Sequence, residues 1–389
     1  MKNEIKYSVV FGNDHKNPLG AMQSLGQAGI KSIAVCWGER TKTLESSRFL
    51  KEIYFGNSAE DCIEILLDII PNGEMGVITP CCDEAAIIID KNREKLKEKY
   101  KFGYSTKYSF EKLSDKAIQT QLAKEAGLSV PEFFTVMKME DIPQNPPFPC
   151  IVKPLVAMLG SKADLMICNN MEELEKNIKD ILPHNYGVII QRYIDKEYEC
   201  LIECCRFSDG KYTMPAIIKN ELHRLYPKNV GLSAMHNVIP FEDGELKNSI
   251  AKLLELMEYV GLISVEFAKS KSDGKYYFFE FNIRNDGYNP CMTKAGANVN
   301  YYYVCDMLGL PFNVDNVKKI NIISEIRHLQ TLAHHQLSLK EWLNDLRTSY
   351  AFTWYYKNDK KPFWKMIEHT LLDTTKVRIR RLFNRNLLK

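Results

Sequence analysis

The sequence predicts a parallel α/β layer, then a mixed α+β body, then a helical tail. Three observations carry this reading. The apolar run at residues 7–11, a loop from Gly12 to Pro18, a helical stretch Leu19–Ala28 and a second apolar run Ile33–Val35 fit within about 30 residues, the length of a parallel βαβ unit. From Glu199 onward, paired strand patterns are joined by Ser208-Asp209-Gly210 and Ser272-Asp273-Gly274, which are turns of antiparallel hairpins. Beyond residue 310 the spacing of apolar residues becomes mainly helical.

The elements follow in order. Val77–Thr79 reads as a short strand and Asp83–Lys99 as a helix, so the parallel layer extends to about residue 110. Its first turn, Gly12-Asn13-Asp14-His15, lacks the G-x-G-x-x-G of a dinucleotide site, and a nicotinamide cofactor is not expected. Leu113–Gly127 is helical, opened by Ser114-Asp115 and closed by Gly127. Pro143–Pro149 holds four prolines and reads as an extended connector. Strands are expected at Cys150–Lys153, Asp164–Cys168 and Gly187–Gln191, with a helix starting at Met171. The hairpin Glu199–Arg206 with Tyr212–Lys219 follows, then a helix Ile250–Val260 and the hairpin Leu262–Ala268 with Tyr276–Asn282. The domain boundaries expected from this are 1–112, 113–310 and 311–389.

Composition narrows the class. The 389 residues are 45% hydrophobic and 26% charged, with a net charge of +3, an ordinary globular balance that argues against disorder and against a dedicated nucleic-acid binder. No apolar run approaches the ~20 residues of a spanning helix, and Met1 to Val10 shows no secretory h-region. The eleven cysteines are scattered without a C-x-x-C pair, as expected of buried free thiols in a reducing cytoplasm. No H-E-x-x-H pattern is present among the eight histidines, so zinc is not expected.

The second hairpin is the most informative segment. Period two puts Glu280, Asn282 and Arg284 on one strand face, and the hairpin brings Glu266 alongside. Two carboxylates and an amide oxygen are hard ligands suited to Mg²⁺, which keeps waters and shares phosphate oxygens. A solvated strand face would show the same alternation. Two lysines weigh against that. Lys153 is a charge inside the apolar run Ile151-Val152-Lys153-Pro154, costly unless it meets an anion. Lys116 opens a helix, where a cation opposes the helix dipole unless something negative lies nearby.

Together these segments resemble the ATP-grasp superfamily. The resemblance rests on Leu113-Ser114-Asp115-Lys116, Ala126 to Pro131, Phe148 to Pro154, Ile189 to Ile194 and Glu280-Phe281-Asn282-Ile283-Arg284, five motifs in order over residues 113–310. Leu19-Gly20, Ser24 to Ile30 and Asp83-Glu84 are similar to the α/β domain that precedes it in the family. The resemblance implies a Rossmann-like first domain, an ATP-grasp domain of two α+β subdomains, and ATP with Mg²⁺ (Mn²⁺ substituting) as cofactors. It implies that Lys116 and Lys153 hold phosphates and that Gln191, Arg192, Tyr193 and Ile194 form the hinge against adenine. Either Glu197 or Glu199 would take the ribose, and Glu266, Glu280 and Asn282 would bind the metal. Arg284 would steady the reacting carboxylate. The phosphate lid of the family is glycine-rich. Here it contains only Gly160, followed by Ser161, whose backbone amides would serve the γ-phosphate.

These residues imply an ATP-dependent carboxylate–amine ligase that works through an acyl phosphate and takes small-molecule carboxylate and amine substrates. In the segment after the first hairpin, Lys219 is assigned to the nucleotide site and Arg224 to a substrate carboxylate, while His223 fits a surface histidine. The chain looks most like ligases that join an amino acid, such as D-aspartate, to a cell-envelope precursor. Carboxylation of a small metabolite, free-dipeptide synthesis and a non-catalytic ATP-binding scaffold are the alternatives, and a homodimer is compatible with each.

The end of the chain carries a separate signal. Residues 374–389 hold six cations (Lys376, Arg378, Arg380, Arg381, Arg385, Lys389) and no acid, with Ile379, Leu382, Phe383 and Leu387 on one helical face. That pattern suits a helix lying at the inner face of a membrane, and equally a helix docked on the body. Without these six charges, the net +3 becomes −3 over residues 1–373.

Overall fold

The computed structural model describes residues 5–155, 166–184, 186–221, 225–226 and 232–370. The lid residues Gly160 and Ser161, the acceptor residues His223 and Arg224, and the basic segment 374–389 lie outside the described residues.

The first domain is the parallel sheet that the apolar runs predict. Strands β1 (Ser8–Phe11), β2 (Ser32–Cys36), β3 (Leu50–Phe55), β4 (Gly76–Pro80) and β5 (Tyr100–Lys101) align in the order β3-β2-β1-β4-β5. β1 and β4 are buried along their whole length, which is why they read as continuous apolar runs instead of alternating ones. The helix expected over 83–99 is two pieces, Asp83–Lys91 and Arg93–Leu96, interrupted at Asn92 (φ −105°, ψ 20°).

The chain leaves this domain through β6 (Tyr104–Ser105), which pairs with the start of a long strand far ahead in sequence. A four-stranded antiparallel sheet follows, β7 (Phe133–Val136), β8 (Cys150–Pro154), β9 (Met166–Cys168) and β10 (Val188–Arg192), in the order β7-β10-β8-β9. The amphipathic helix Met171–Ile181 covers it by burying Leu174, Ile178 and Ile181. β10 then runs into a nine-stranded sheet. It comprises β11 (Lys196–Arg206), β12 (Tyr212–Thr213), β13 (Ala216–Asn220), β16 (Met235–Pro240), β17 (Tyr259–Ser270), β18 (Tyr276–Asn282), β19 (Ile320–Ile323), β20 (Ala351–Phe352) and β6. Between β13 and β16 the chain forms a separate two-stranded ribbon, β14 (Leu225–Tyr226) with β15 (Leu232–Ser233).

Two boundaries differ from the sequence reading. The helix expected over 250–260 is Gly244–Leu256, because Glu258 turns the chain with φ 47° and Tyr259 already pairs with Ser105. The segment beyond 310 is mainly helical but is also part of the large sheet. β19 extends it from β16, and β20 adds a parallel strand. Four-residue and two-residue strands are too short to show a period. The helices Glu325–Ala333 and Leu339–Thr348 are clamped by His328, whose Nε2 lies 3.2 Å from Asp345 Oδ2 and whose ring stacks on Trp342 at 5.4 Å.

The segment after β20 returns to the first domain. Asp359 accepts hydrogen bonds from Gln23 Nε2 (3.0 Å), Ser47 Oγ (2.7 Å) and Arg48 N (2.9 Å) in the first domain. The first domain is tied to the body through Tyr303, whose hydroxyl donates to Ile78 O (2.8 Å) and accepts from Gly103 N (3.0 Å) in a fully buried setting. Tyr303→Phe keeps the ring and removes the hydroxyl that accepts from the buried Gly103 amide. The expected cost is about 1–3 kcal/mol, measured as a lower urea midpoint with an unchanged slope.

Candidate active site

The site is built on one face of the large sheet. In β17 and β18, Glu266 lies directly opposite Glu280, and Ser264 opposite Asn282. Asn282 Nδ2 donates to Glu266 Oε1 at 3.1 Å, which leaves its Oδ1 available to an electrophile. On the other side of β17, Leu201 faces Glu266 and Glu203 faces Ser264. Opposed residues of an antiparallel pair share a face, so Glu199, Glu203, Glu266, Glu280 and Asn282 all point to one side. Ile263, Val265, Phe267 and Phe281 fill the core on the other.

Two β-bulges set the details. The β17–β18 register slips between Glu266/Phe267 and Glu280/Phe278, leaving Phe279 as the extra residue. Strict alternation would have put Phe279 in the core beside Phe281. The bulge instead lets Phe278 and Phe281 both be buried and turns Phe279 to the charged face, where Lys153 and Lys196 lie 5.1 and 5.9 Å from its ring centroid. A second slip in β11, between Lys196 and Tyr198, singles out Glu197. Residues three apart in a regular strand point to opposite faces. Here Lys196 and Glu199 form an ion pair, while Glu197 is exposed.

Lys116 and Lys153 arrive from different elements. Asp115 caps the helix Lys116–Glu125 by accepting from Ala117 N and Ile118 N, and Lys116 Nζ reaches Glu280 Oε2 at 3.4 Å. The carboxylate the sequence called for near that lysine is thus Glu280. Lys116 N also bonds Leu155 O (3.0 Å), joining the helix start to the end of β8. Lys153, paired in register with Ile189, is half-buried. Burial and then the Lys116 charge pull its ammonium pKa down to about 8, against the opposing pull of Glu280. Asp83, Ser114, Lys116, Glu280 and Asn282 line one pocket between the first domain and the sheet face.

The remaining expected residues divide. Gln191 is buried between Ile151 and Phe133, Arg192 is exposed and paired with Glu132 at 2.6 Å, Tyr193 N bonds Pro149 O, and Ile194 is buried. They form the crossing from β10 to β11, between the two sheets. Lys219 does not join the set. It sits opposite Cys200, on the core-side face, with its Nζ 4.5 Å from the Tyr198 ring centroid. The sheet parity that puts Glu199 on the site face turns Lys219 to the opposite one.

Arg284 is more constrained than expected. Its Nε donates to Asp83 Oδ1 (3.1 Å), and its Nη1 donates to Asp286 Oδ2 (2.6 Å) and Asn285 O (3.4 Å). Burial opposes its charge, but Asp83 and Asp286 more than offset this, so the guanidinium is held more firmly protonated than usual. Next to it, Glu203 is 1% exposed with Oε1 lacking a hydrogen-bond partner, and burial followed by the Asp286 charge pushes its pKa well above the carboxylate range. Lys196, Phe279 and Glu203 were not singled out in the sequence. The first two depend on bulges, and Glu203 sits in an apolar run that reads as plain core.

The donor set fits the group that the family implies. Glu266, Glu280 and Asn282 are oxygen donors on adjacent strands, beside Lys116 and Lys153.

Residues 115–296 match the family described as carbamoyl-phosphate synthase L chain, ATP binding domain. D-alanine–D-alanine ligase of Thermoanaerobacter sp. is 27% identical over 182 residues, covering 43% of this chain and 50% of that protein. The chain thus spans about half the length of the curated relatives it matches. The fold is similar to N5-carboxyaminoimidazole synthetase from Staphylococcus aureus (TM-score 0.67, 17% identity, 86% of this chain and 88% of that one). It is also similar to L-amino acid ligase from Bacillus licheniformis (TM-score 0.58, 14% identity, 78% and 75%). Residues 115–296, just under half of this chain, thus match an ATP-grasp domain family.

Proposed function

We propose that the protein is an ATP-dependent carboxylate–amine ligase that forms an amide through an acyl phosphate and releases ADP and phosphate. The observation that carries this reading is the convergence of Glu266, Glu280 and Asn282 with Lys116 and Lys153 across the two sheets. A carboxylate resists attack by an amine because it is anionic, and phosphorylation gives it a leaving group. Two anions must first be brought together. Lys116 and Lys153 bind and orient the triphosphate. Arg284, whose Nη2 is engaged by no hydrogen bond among the described residues, orients the substrate carboxylate. Mg²⁺, when held by Glu266, Glu280 and Asn282, supplies Lewis-acid stabilisation of the transferring phosphoryl group. Alignment of this kind is worth up to about 7–11 kcal/mol. Glu199, on the site face, suits the ribose better than Glu197.

The similarity to D-alanine–D-alanine ligase favours an amino acid as one substrate, and a cell-envelope precursor is the acceptor class that a membrane-touching segment 374–389 would serve. The match to a carbamoyl-phosphate synthase domain supports the second reading, carboxylation of a small metabolite. ADP release across D- and L-amino acids, with and without bicarbonate and with product masses recorded, separates the two. Only the carboxylase requires bicarbonate. Cosedimentation with anionic vesicles should fall to background when residues 374–389 are removed, and unchanged binding would sink the membrane reading.

Glu280→Ala removes a metal ligand and the partner of Lys116, and ADP formation should drop to background. Unchanged turnover would refute the assignment. Because the Lys153 pKa is near 8, its cation is present below that pH and is lost above it. Affinity for ADP, measured by calorimetry from pH 6.5 to 9.5, should weaken above about pH 8. In Lys153→Arg, whose guanidinium stays charged, that inflection should disappear.

A further inference from the structure

The four-stranded sheet that carries Lys153 also sets two cysteines against each other. In the β8–β9 pair, Cys150 lies directly opposite Cys168. Residues opposed across an antiparallel pair share a face, and both side chains are fully buried in the core they form with Val136, Leu174 and Ile178. No other two cysteines are opposed across a strand pair among the described residues. Opposed residues have Cα atoms about 4.5–5.5 Å apart, inside the roughly 4.4–6.8 Å that a disulfide spans. Both thiols are free in the structure.

The surroundings favour reaction at Cys168. Asn177 Nδ2, on the helix Met171–Ile181, donates to Cys168 Sγ at 3.3 Å. The hydrogen bond from the Cys150 thiol, against burial and with help from Asn177, brings the Cys168 pKa down to about 7. The same bond, followed by burial, pushes the Cys150 thiol up. The attacking sulfur is thus Cys168, since the thiolate is the nucleophile. Access comes from the edge of the sheet. β9 has three residues and one neighbour, β8, in the order β7-β10-β8-β9, and Met166 and Ile167 are 38% and 43% exposed. A strand held on one side by three residue pairs opens before the sheet as a whole does.

We propose that Cys150 and Cys168 are a redox modification site, at which a small-molecule disulfide such as oxidised glutathione reversibly staples β9 to β8. The Cys168 thiolate attacks one sulfur of the oxidant, forming a mixed disulfide and releasing one thiolate. Cys150, once deprotonated, attacks the Cys168 sulfur and expels the second. Two protein thiols become one disulfide, and the oxidant is reduced to two thiols that take up the two protons. The bond closes the chain over residues 151–167, which include Lys153. It needs neither ATP nor a ligase substrate, so it stands apart from the ligase reading.

The test uses the full chain, reduced and then incubated without denaturant in oxidised glutathione. Remaining thiols are alkylated before digestion with trypsin, which passes over the Lys153-Pro154 bond. Cleavage after Lys138, Lys162 and Lys176 leaves Cys150 as the one cysteine of residues 139–162 and Cys168 as the one cysteine of residues 163–176. Mass spectrometry should show most of these two peptides joined, lighter than their sum by two hydrogens, and dithiothreitol should separate them. In Cys168→Ser, Cys150 should be recovered alkylated, and wild type alone decides the matter if that variant does not fold. Cys82 is half-buried where the other cysteines are buried, so exposure alone would direct the oxidant there. A glutathione adduct at Cys82 with Cys150 and Cys168 alkylated separately, or a linked peptide that forms only in denaturant, overturns the proposal.

Discussion

The ion pairs of Arg284 hold the site together. Its guanidinium side chain is 13% exposed, a position that would be strongly unfavourable for an unpaired charge. Asp286 follows two residues later in the chain, but Asp83 belongs to the first domain, at the start of a helix that β4 delivers. The pairing therefore fixes the end of β18 against the first domain. Together with the β17 pairing and the Gln119 bonds to Phe281, this attachment holds Glu280 and Asn282 at the pocket. Removing one carboxylate would leave a buried charge short of a partner, at a cost of about 3–5 kcal/mol.

A second constraint is charge crowding. Lys116, Lys153 and Lys196 converge on a single aromatic ring and two carboxylates. This local excess stands on a body whose net charge is −3 once the six terminal cations are set aside. The attraction for a polyphosphate is therefore local, arising from side chains held within a few ångströms of one another, and a general field contributes little. Phe279 carries out part of this arrangement. A ring face tolerates two ammonium groups that would otherwise meet only each other.

Much of this was legible from short-range pattern. The apolar runs of β1 and β4, the Ser-Asp-Gly turns of both hairpins, with Gly210 and Gly274 at positive φ, and the shared face of Glu280 and Asn282 all follow from spacing. Lys153 stood out because a charge in an apolar strand needs a reason. The rest depended on events that no spacing announces. A bulge decides whether Phe279 points to the core or to the site, and another decides whether Lys196 meets Glu199. Lys219 looked eligible until sheet parity placed it on the core side. The partner of Arg284 lies 201 residues away in sequence, and β19 and β20 are too short to display a period at all. Local chemistry could be read from the chain, whereas register and long-range pairing could not.

The contact between Asp359 and the first domain bears on how the protein is made. Gln23, Ser47 and Arg48 precede their shared acceptor by 336, 312 and 311 residues. A ribosome elongating at about 5–20 residues per second delivers that carboxylate at least about 15 s after it has delivered Arg48. Once Lys101 has been made, the strands of the amino-terminal sheet are all present, but for the rest of that interval polar groups that end up buried lack this partner. The nascent first domain is therefore a state in which chaperones and proteases can act, and these contacts close only when the segment around Asp359 folds back onto it.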